Sequence, residues 1–381
     1  MKRASLTSRP EPLFTPAFLL MCGFNLVAFL SAFQLLPTIP FRILALGGTR
    51  AEAGWFLAVY TYASAFSAPL TGAIADRIGR RRAIFISCSL FIVFSVAYGF
   101  VTSLVPLLVV GCIHGVAWSS MLSSGGAIIS EAIPEGRRTE GMAYYGLAST
   151  IAVAIAPSIG LFVYGFSWLA LCLEMAGLSA VLLLVATRIP REIRLLHRAS
   201  WHPRELVIWR VVLVAMAMFA VSFGYGGVTS FVALLSQARN IHPESIFFTV
   251  FAIAVLFTRI FTSRLGDRFG PAYLLYPTLA MIPPSLLILA LSQSRTGVIL
   301  SATIFGIGFG SAYPAFISFV LGRTDPARRA SVFGSVLWAF DTGIGTGSVV
   351  TGWVAQEWSF GAAFIVAACF STLSIPIFAA T

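Results

Sequence analysis

Four ionisable residues lie inside long apolar segments of this sequence: His114, Glu174, Arg259 and Asp341. A charged side chain near the centre of a bilayer costs roughly 2.5–3.5 kcal/mol on insertion scales, so each residue requires a function or a partner. Asp341 lies near the middle of its segment, where a carboxyl group can carry a proton or bind a cation. The imidazole of His114 can titrate near neutral pH. Ionisable residues in apolar segments favour proton coupling, and the candidates are Asp341, His114 and Arg259.

Each of these residues also has a structural interpretation. Asp341 is consistent with a neutral or paired acid, and His114 with a buried, hydrogen-bonded histidine. Arg259 precedes Arg264 closely in sequence, so its long side chain can snorkel to the membrane surface or brace the neighbouring loop. The sequence identifies no partner for Glu174.

The sequence carries no pattern that indicates enzyme chemistry. Lys2 is the only lysine, which excludes a phosphate-binding glycine-rich loop with its lysine. The four histidines and the scattered carboxylates have no metal-ligand spacing. We therefore expect no catalytic residues, no cofactor and no metal.

The composition indicates that lipid is the solvent for most of this chain. Of its 381 residues, 58% are hydrophobic and 10% are charged, whereas soluble globular proteins carry roughly 25% charged residues. The formal net charge is +11, but the basic residues are dispersed and do not form the patch that nucleic-acid binding needs. We expect the lipid bilayer, and no nucleic acid, as a partner.

Apolar runs of about 20 residues predict transmembrane helices. Twelve such segments are found, at 16–36, 53–73, 83–101, 104–130, 141–164, 167–187, 209–236, 246–263, 272–291, 297–321, 331–354 and 359–379. The predicted fold is therefore an all-α membrane protein with twelve transmembrane helices.

The basic residues fall mainly on one side of the predicted helices. Twenty of the 25 lie in termini and loops on that side, and four lie on the other. The positive-inside rule therefore predicts a multi-pass protein of the bacterial inner membrane with both termini in the cytoplasm. The arginine-rich segment 188–208 is then a cytoplasmic linker between an N-terminal unit, 1–187, and a C-terminal unit, 209–381.

Two landmarks recur in the second half of the chain. The segment 72–79 returns at 263–270, where Asp267-Arg268 repeats Asp76-Arg77, and an arginine pair after a proline recurs at nearly the same offset. A six-helix unit that occurs twice in the same orientation is a transporter architecture.

The segment from Gly72 to Arg82 resembles the signature loop of the major facilitator superfamily, glycine-x-x-x-aspartate-arginine-x-glycine-arginine. The resemblance implies two pseudo-symmetric six-helix bundles and a cytoplasmic gate that this loop latches when that side is closed. A basic loop that only sets topology is the alternative. Small residues permit close helix contacts, and glycine permits the turn. The implied gating residues are Gly72, Asp76, Arg77, Gly79, Arg80 and Glu131, with Asp267, Arg268 and Gly270 in the second copy.

Other stretches resemble a bacterial efflux branch of that superfamily, the exporters of sugars, drugs and metallophores. They are Leu36–Pro40, His114–Trp118 and Phe247–Thr249, and Ala152–Gly160 partly matches the antiporter motif of exporters. Gly111 occupies a position where proton-coupled exporters often carry an arginine, which excludes coupling through that arginine.

The resemblance implies a central cavity lined by spans 1, 4, 7 and 10, with contributions from spans 2, 5, 8 and 11. Packing is the alternative role for any single aromatic residue there. As a set, the polar and aromatic residues of these spans predict a pocket for an amphipathic ligand with few charges. The candidate substrate-binding residues are Asn25, Phe29, Phe33, Gln34, His114, Trp118, Tyr145, Tyr225, Thr229, Tyr313, Trp338 and Asp341.

These observations predict a monomeric secondary transporter that works by alternating access. We expect export of a small amphipathic organic molecule in exchange for protons. The alternatives are an importer of a sugar, carboxylate or other nutrient, a membrane receptor that binds without transport, and a lipid flippase.

Overall fold

The computed structural model describes residues 12–134, 137–189, 209–269, 271–321 and 329–381. Within its helices, only the backbone is described for residues 138–139, 209–212, 259–269, 271, 313–314, 321 and 329–334. The predicted linker 188–208 lies almost wholly outside these ranges, so the division of the chain at that segment stays a prediction.

Helices make up nearly all of the described residues. They are α1 (Pro16–Ala45), α2 (Arg50–Ile78), α3 (Arg80–Phe100), α4 (Leu104–Ala132), α5 (Arg138–Tyr164), α6 (Trp168–Thr187), α7 (Trp209–Ala238), α8 (Ile246–Phe269), α9 (Pro271–Leu291), α10 (Arg295–Leu321), α11 (Arg329–Glu357), α12 (Phe360–Thr372) and α13 (Ser374–Ala379).

The predicted fold class is confirmed, because eleven of the twelve predicted spans each coincide with a single helix and the last coincides with two. Several helices continue past the apolar run that predicted them. For example, α2 begins at Arg50, where Thr49 and Glu52 form a capping box that satisfies two of the free amide groups of the first turn. The last predicted span, 359–379, is divided at Leu373 into α12 and α13. Pro376 follows this break, and a proline ring clashes with the carbonyl group four residues before it.

Within the described part of the chain, nine helical segments are long and apolar enough to cross a membrane. Helices α2, α8 and α11 are not among them, and the apolar part of α8 covers only Ile246–Thr258. Helices α2 and α11 pack against each other, so part of each is buried between the two halves rather than facing lipid.

Helix packing repeats from one half of the chain to the other. In the first half α1 packs against α5, α2 against α4, and α3 against α6. In the second half the corresponding pairs are α7 with α11, α8 with α10, and α9 with α12. The same pairing at an offset of one six-helix unit confirms the duplication that the repeated motifs predict.

The two halves meet along α2–α11, α5–α8 and α1–α7. We name the ends of the bundle after the residues found there, the Arg50 end and the Gly79 end. Near the Arg50 end, the Arg50 guanidinium donates to the Ala355 carbonyl at 3.1 Å, and Ser158 and Thr249 hydroxyls lie 2.9 Å apart between α5 and α8. Among the described residues, α4 and α10 do not pack along each other as these three pairs do. The halves are therefore closed together at the Arg50 end.

Candidate functional site

Helix α11 is held tightly between α7 and α2 by three glycines. A Cβ atom at Gly343 would lie 2.6 Å from the Phe219 carbonyl oxygen on α7, whereas one at Gly345 would lie 2.6 Å from the Thr61 hydroxyl on α2. Gly347 again contacts the α7 backbone. Residues four apart share one face of a helix, so α11 presents glycine alternately to both neighbours. This packing places Asp341 where α2, α7 and α11 meet.

A small cavity lies between the two halves at this junction. Its volume is ≈ 40 Å³. Cavities for drug-sized ligands measure about 300–1,000 Å³, so the helices must move apart to admit such a ligand. The lining residues are Ala32, Phe33 and Leu36 of α1, Leu57, Tyr60, Thr61 and Ser64 of α2, Trp118 of α4, Tyr225 and Thr229 of α7, and Phe340, Asp341 and Ile344 of α11.

Asp341 is the acidic group of this cavity. The Ser64 hydroxyl donates to its Oδ2 at 3.4 Å. The two lining threonine hydroxyls bond within their own helices, since Thr61 donates to the Leu57 carbonyl at 2.9 Å and Thr229 to the Tyr225 carbonyl at 2.8 Å. An ionised carboxylate in an apolar environment is costly unless a charge or several hydrogen bonds compensate it. The carboxyl group therefore suits reversible binding of a proton or a cation.

Aromatic rings form the walls on either side. On the N-terminal half, Phe29 stacks on Phe33 with centroids 5.4 Å apart and meets Trp118 edge-on at 4.8 Å. On the C-terminal half, Tyr225 stacks on Phe309 at 4.3 Å. Apolar walls around one acidic group can hold an amphipathic molecule.

The structure brings part of the predicted substrate-binding set together. Phe33, Trp118, Tyr225, Thr229 and Asp341 line the cavity. Phe29 packs behind them against Trp118. Three elements from the first half and two from the second contribute to this cavity, as expected for a site between two repeats.

Other predicted members lie elsewhere. Asn25 donates its amide to the Tyr145 carbonyl at 3.0 Å and joins α1 to α5. The Gln34 amide donates to Glu174 Oε1 of α6 at 3.1 Å, which supplies the partner that the sequence did not identify. Trp338 is 46% exposed and packs against the edge of Phe66 rather than lining the cavity.

His114 lies inside the N-terminal half. It is 2% exposed, and its Nδ1 is 3.2 Å from the Tyr98 hydroxyl. Its ring lies 4.5 Å from that of Phe91 and 5.2 Å from that of Tyr60. The geometry favours the packing interpretation, with Tyr60 between His114 and the cavity.

Several predicted residues fall where side chains are not described. These are Tyr313, Arg259, Asp267 and Arg268, and Gly270 lies outside the described residues altogether. Their predicted roles in binding, proton coupling and gating stay predictions.

Helix α2 supplies cavity residues that sequence reasoning did not name. Tyr60, Thr61 and Ser64 line the cavity, and Phe340 and Ile344 flank Asp341 on α11. The available signal was the spacing of Tyr60, Thr61 and Ser64, since polar groups three and four residues apart share one face of a helix.

The loop between α2 and α3 forms a charged network. Gly79 has φ +96°, so the prediction that glycine permits this turn is confirmed. Arg80 Nε donates to Asp76 Oδ1 at 3.0 Å, and the Arg80 guanidinium also bonds Glu131 of α4. Arg77 is exposed. In this structure the network joins α2, α3 and α4 of one half.

Among the residues that the structure describes, no heavy atom of another residue is found within 4 Å of a Cβ built at Gly72. The side chains of α8 and α11 nearest the Gly79 end are not described, so the helix contact at Gly72 stays a prediction.

Comparison with known proteins agrees with this architecture. The family model described as Major Facilitator Superfamily matches residues 20–335 and 214–381. The chain belongs to the Major Facilitator Superfamily. The resemblance seen in the loop between α2 and α3 therefore extends over nearly the whole sequence.

Curated relatives of this superfamily member include named exporters. The Staphylopine export protein of Staphylococcus aureus (strain Mu50 / ATCC 700699) is 24% identical over 339 residues, which cover 82% of this chain and 83% of the relative. The Chloramphenicol resistance protein of Pseudomonas aeruginosa is 26% identical over 309 residues, covering 77% and 74%. The Multidrug export protein EmrB of Escherichia coli (strain K12) is 22% identical over 323 residues, covering 77% and 59%.

Solved structures share the fold at low identity. A bacterial homologue of the human lysosomal transporter Spinster, in an inward-facing and occupied conformation, has a TM-score of 0.80 at 14% identity and covers 98% of this chain and 97% of its own. The nucleoside transporter NupG has a TM-score of 0.76 at 17% identity, covering 96% and 99%. At these identities the likeness establishes the fold.

Proposed function

We propose that this transporter exports a small amphipathic organic molecule in exchange for protons, by alternating access. The observation that carries the proposal is the position of Asp341, in a cavity between the two halves with aromatic walls. A site between repeats can be exposed to either side of the membrane when one half rocks against the other. The carboxyl group of Asp341 binds a proton from one side and releases it to the other. The bound proton competes with substrate for this group.

The Gly79 end is assigned to the cytoplasm. The support is the excess of arginine in the loops at that end, which follows the positive-inside rule. With this assignment the contacts between the halves at the Arg50 end lie on the periplasmic side. Both chain termini are then cytoplasmic, in a bacterial inner membrane.

The network of Asp76, Arg80 and Glu131 is assigned to gating. It ties the cytoplasmic ends of α2, α3 and α4 to one another. Every described partner in this network belongs to the N-terminal half. Its proposed role is to keep this end of the N-terminal half rigid so that the half moves as one body.

Export is favoured over import by the names of relatives. Three proteins that align over most of this chain are named for staphylopine export, chloramphenicol resistance and multidrug export. A nutrient importer remains the second candidate, since the superfamily fold itself serves either direction.

The proposal is tested by transport in proteoliposomes. Purified protein is given a panel of drugs, sugars and metallophores with and without an imposed pH gradient. The parent should accumulate at least one compound against its gradient, driven by protons. Asp341→Asn should lose this accumulation, whereas Glu357→Gln, which neutralises an exposed acid at the end of the same helix, should keep it.

Two outcomes would contradict the proposal. Gradient-driven flux in Asp341→Asn equal to that of the parent would reject coupling through this residue. Accumulation in the same direction as the protons, of a sugar or carboxylate, would assign the chain to import instead.

A further inference from the structure

We propose that the cavity selects organic monocations, and that one such cation exchanges for one proton. The inference rests on the proposed function, because it names the substrate class of the same site. It rests on the charged groups and the aromatic rings around Asp341.

Asp341 is the one acidic residue among the described lining residues, and no lysine, arginine or histidine is among them. The titratable groups that face it are the hydroxyls of Tyr60 on α2 and Tyr225 on α7, and His114 lies behind Tyr60. The described residues that α1 and α4 contribute to the lining are apolar side chains. Among the described lining residues an anionic ligand would therefore meet a carboxylate and no basic side chain, whereas a cation would meet its counter-charge.

The aromatic rings around the cavity also favour a cation. The faces of tryptophan, tyrosine and phenylalanine carry negative charge density and attract cations within about 6 Å. Phe33 and Trp118 approach the cavity from one half, and Tyr225 and Phe340 approach it from the other. A flat or compact apolar body that bears one positive charge fits both features.

A single carboxyl group also couples the two movements through competition for one site. Protonation of Asp341 removes the charge that holds the cation, and binding of the cation requires that the proton has left to water. The carboxylate exchanges one O–H bond for one ion pair, so proton and substrate exclude each other without a second titratable group. One positive charge moves inward for each that moves outward, and the cycle is electroneutral.

The test compares a cation with its neutral isostere. The probe is tritiated 1-methyl-4-phenylpyridinium bound to the purified full-length protein in detergent, with unlabelled competitors. Unlabelled 4-methylbiphenyl has the same shape and lacks the charge. The pyridinium nitrogen carries no N–H, so its advantage over the isostere is the attraction of its charge to the carboxylate and to the ring faces, and a tenfold preference corresponds to about 1.4 kcal/mol. The neutral isostere should therefore compete at least about tenfold more weakly.

Two variants and the pH dependence complete the test. Lowering the pH should weaken probe binding to the parent. Asp341→Asn should lose binding and its pH dependence, and Glu357→Gln should bind as the parent does. Equal competition by the neutral isostere, or full binding by Asp341→Asn, would overturn the inference. So would absence of saturable binding for 1-methyl-4-phenylpyridinium, tetraphenylphosphonium and ethidium alike.

Failure of this inference is distinguishable from failure of the proposed function. Proton-driven flux of a neutral compound that depends on Asp341 would leave proton exchange standing and reject cation selectivity. Cation binding that depends on Asp341, with no flux of any compound, would support the site and reject transport. For a transported monocation, a potassium diffusion potential without a pH gradient should drive no accumulation, and accumulation there would reject the electroneutral exchange.

Discussion

Adding one methyl group to α11 should shift the balance between the two open states. A Cβ atom at Gly345 would lie 2.6 Å from the Thr61 hydroxyl, 2.9 Å from a Tyr62 ring carbon and 3.0 Å from the Ala58 Cα. Non-bonded carbon atoms prefer about 3.5–4.0 Å. The Ala58 Cα belongs to the backbone and cannot turn aside, so Gly345→Ala must push α2 away from α11.

The magnitude follows from the cost of overpacking. Extra methyl groups in a well-packed interior cost about 1–3 kcal/mol. The cost falls on the state in which α2 and α11 touch at the Arg50 end, and it is relieved when this end opens. Since about 1.4 kcal/mol is tenfold in an equilibrium constant, the ratio of the state open at the Arg50 end to the state closed there should rise about fivefold to about 150-fold.

The assay is thiol labelling from outside the cell. In a background without native cysteines, Leu57→Cys reports access to the cavity, because Leu57 lines it and is 2% exposed in the closed arrangement. A membrane-impermeant thiol reagent should label Leu57→Cys faster when Gly345→Ala is added. Gly177→Ala is the matched control, since a Cβ there meets no described atom within 4 Å. Equal labelling rates in parent, Gly345→Ala and Gly177→Ala would refute the reasoning.

Two further predictions concern the N-terminal half. Glu174→Ala should lower the free energy of unfolding by about 1–3 kcal/mol, because it leaves the buried amide of Gln34 unpaired. Glu174→Gln keeps an acceptor and should match the parent. Equal melting temperatures for the parent and both variants in detergent would contradict this prediction. Glu131→Gln removes a partly exposed partner of Arg80 and should cost at most about 1 kcal/mol while slowing transport. Unchanged transport rates in that variant would remove Glu131 from the gate.

Much of the fold follows from the sequence because lipid imposes a simple length and polarity rule. Apolar runs located the helices, and the recurrence of Asp76-Arg77 at Asp267-Arg268 indicated the duplication. The rule is less accurate at the ends of helices and at interruptions within them. The interruption at Leu373 was not predicted, since the sequence around it is as apolar as the rest of that span.

The site was predictable only in part, because whether a residue lines the cavity depends on which face of its helix turns inward. Asp341 was identified by the cost of burying an acid. Gln34 was predicted to line the cavity, but its amide instead turns to α6 and pairs with Glu174. Tyr60 and Ser64 were missed because their inward orientation depends on how α2 packs against α11, which a single sequence does not show.

Proton release on substrate binding tests the central claim most directly. A substrate identified by the flux panel is added to purified protein in weakly buffered detergent solution with a pH-sensitive dye. At a pH where Asp341 starts protonated, the parent should release up to one proton for each bound substrate, and Asp341→Asn should release none. Substrate binding to the parent without proton release at any pH between acid and neutral conditions would contradict competition at Asp341.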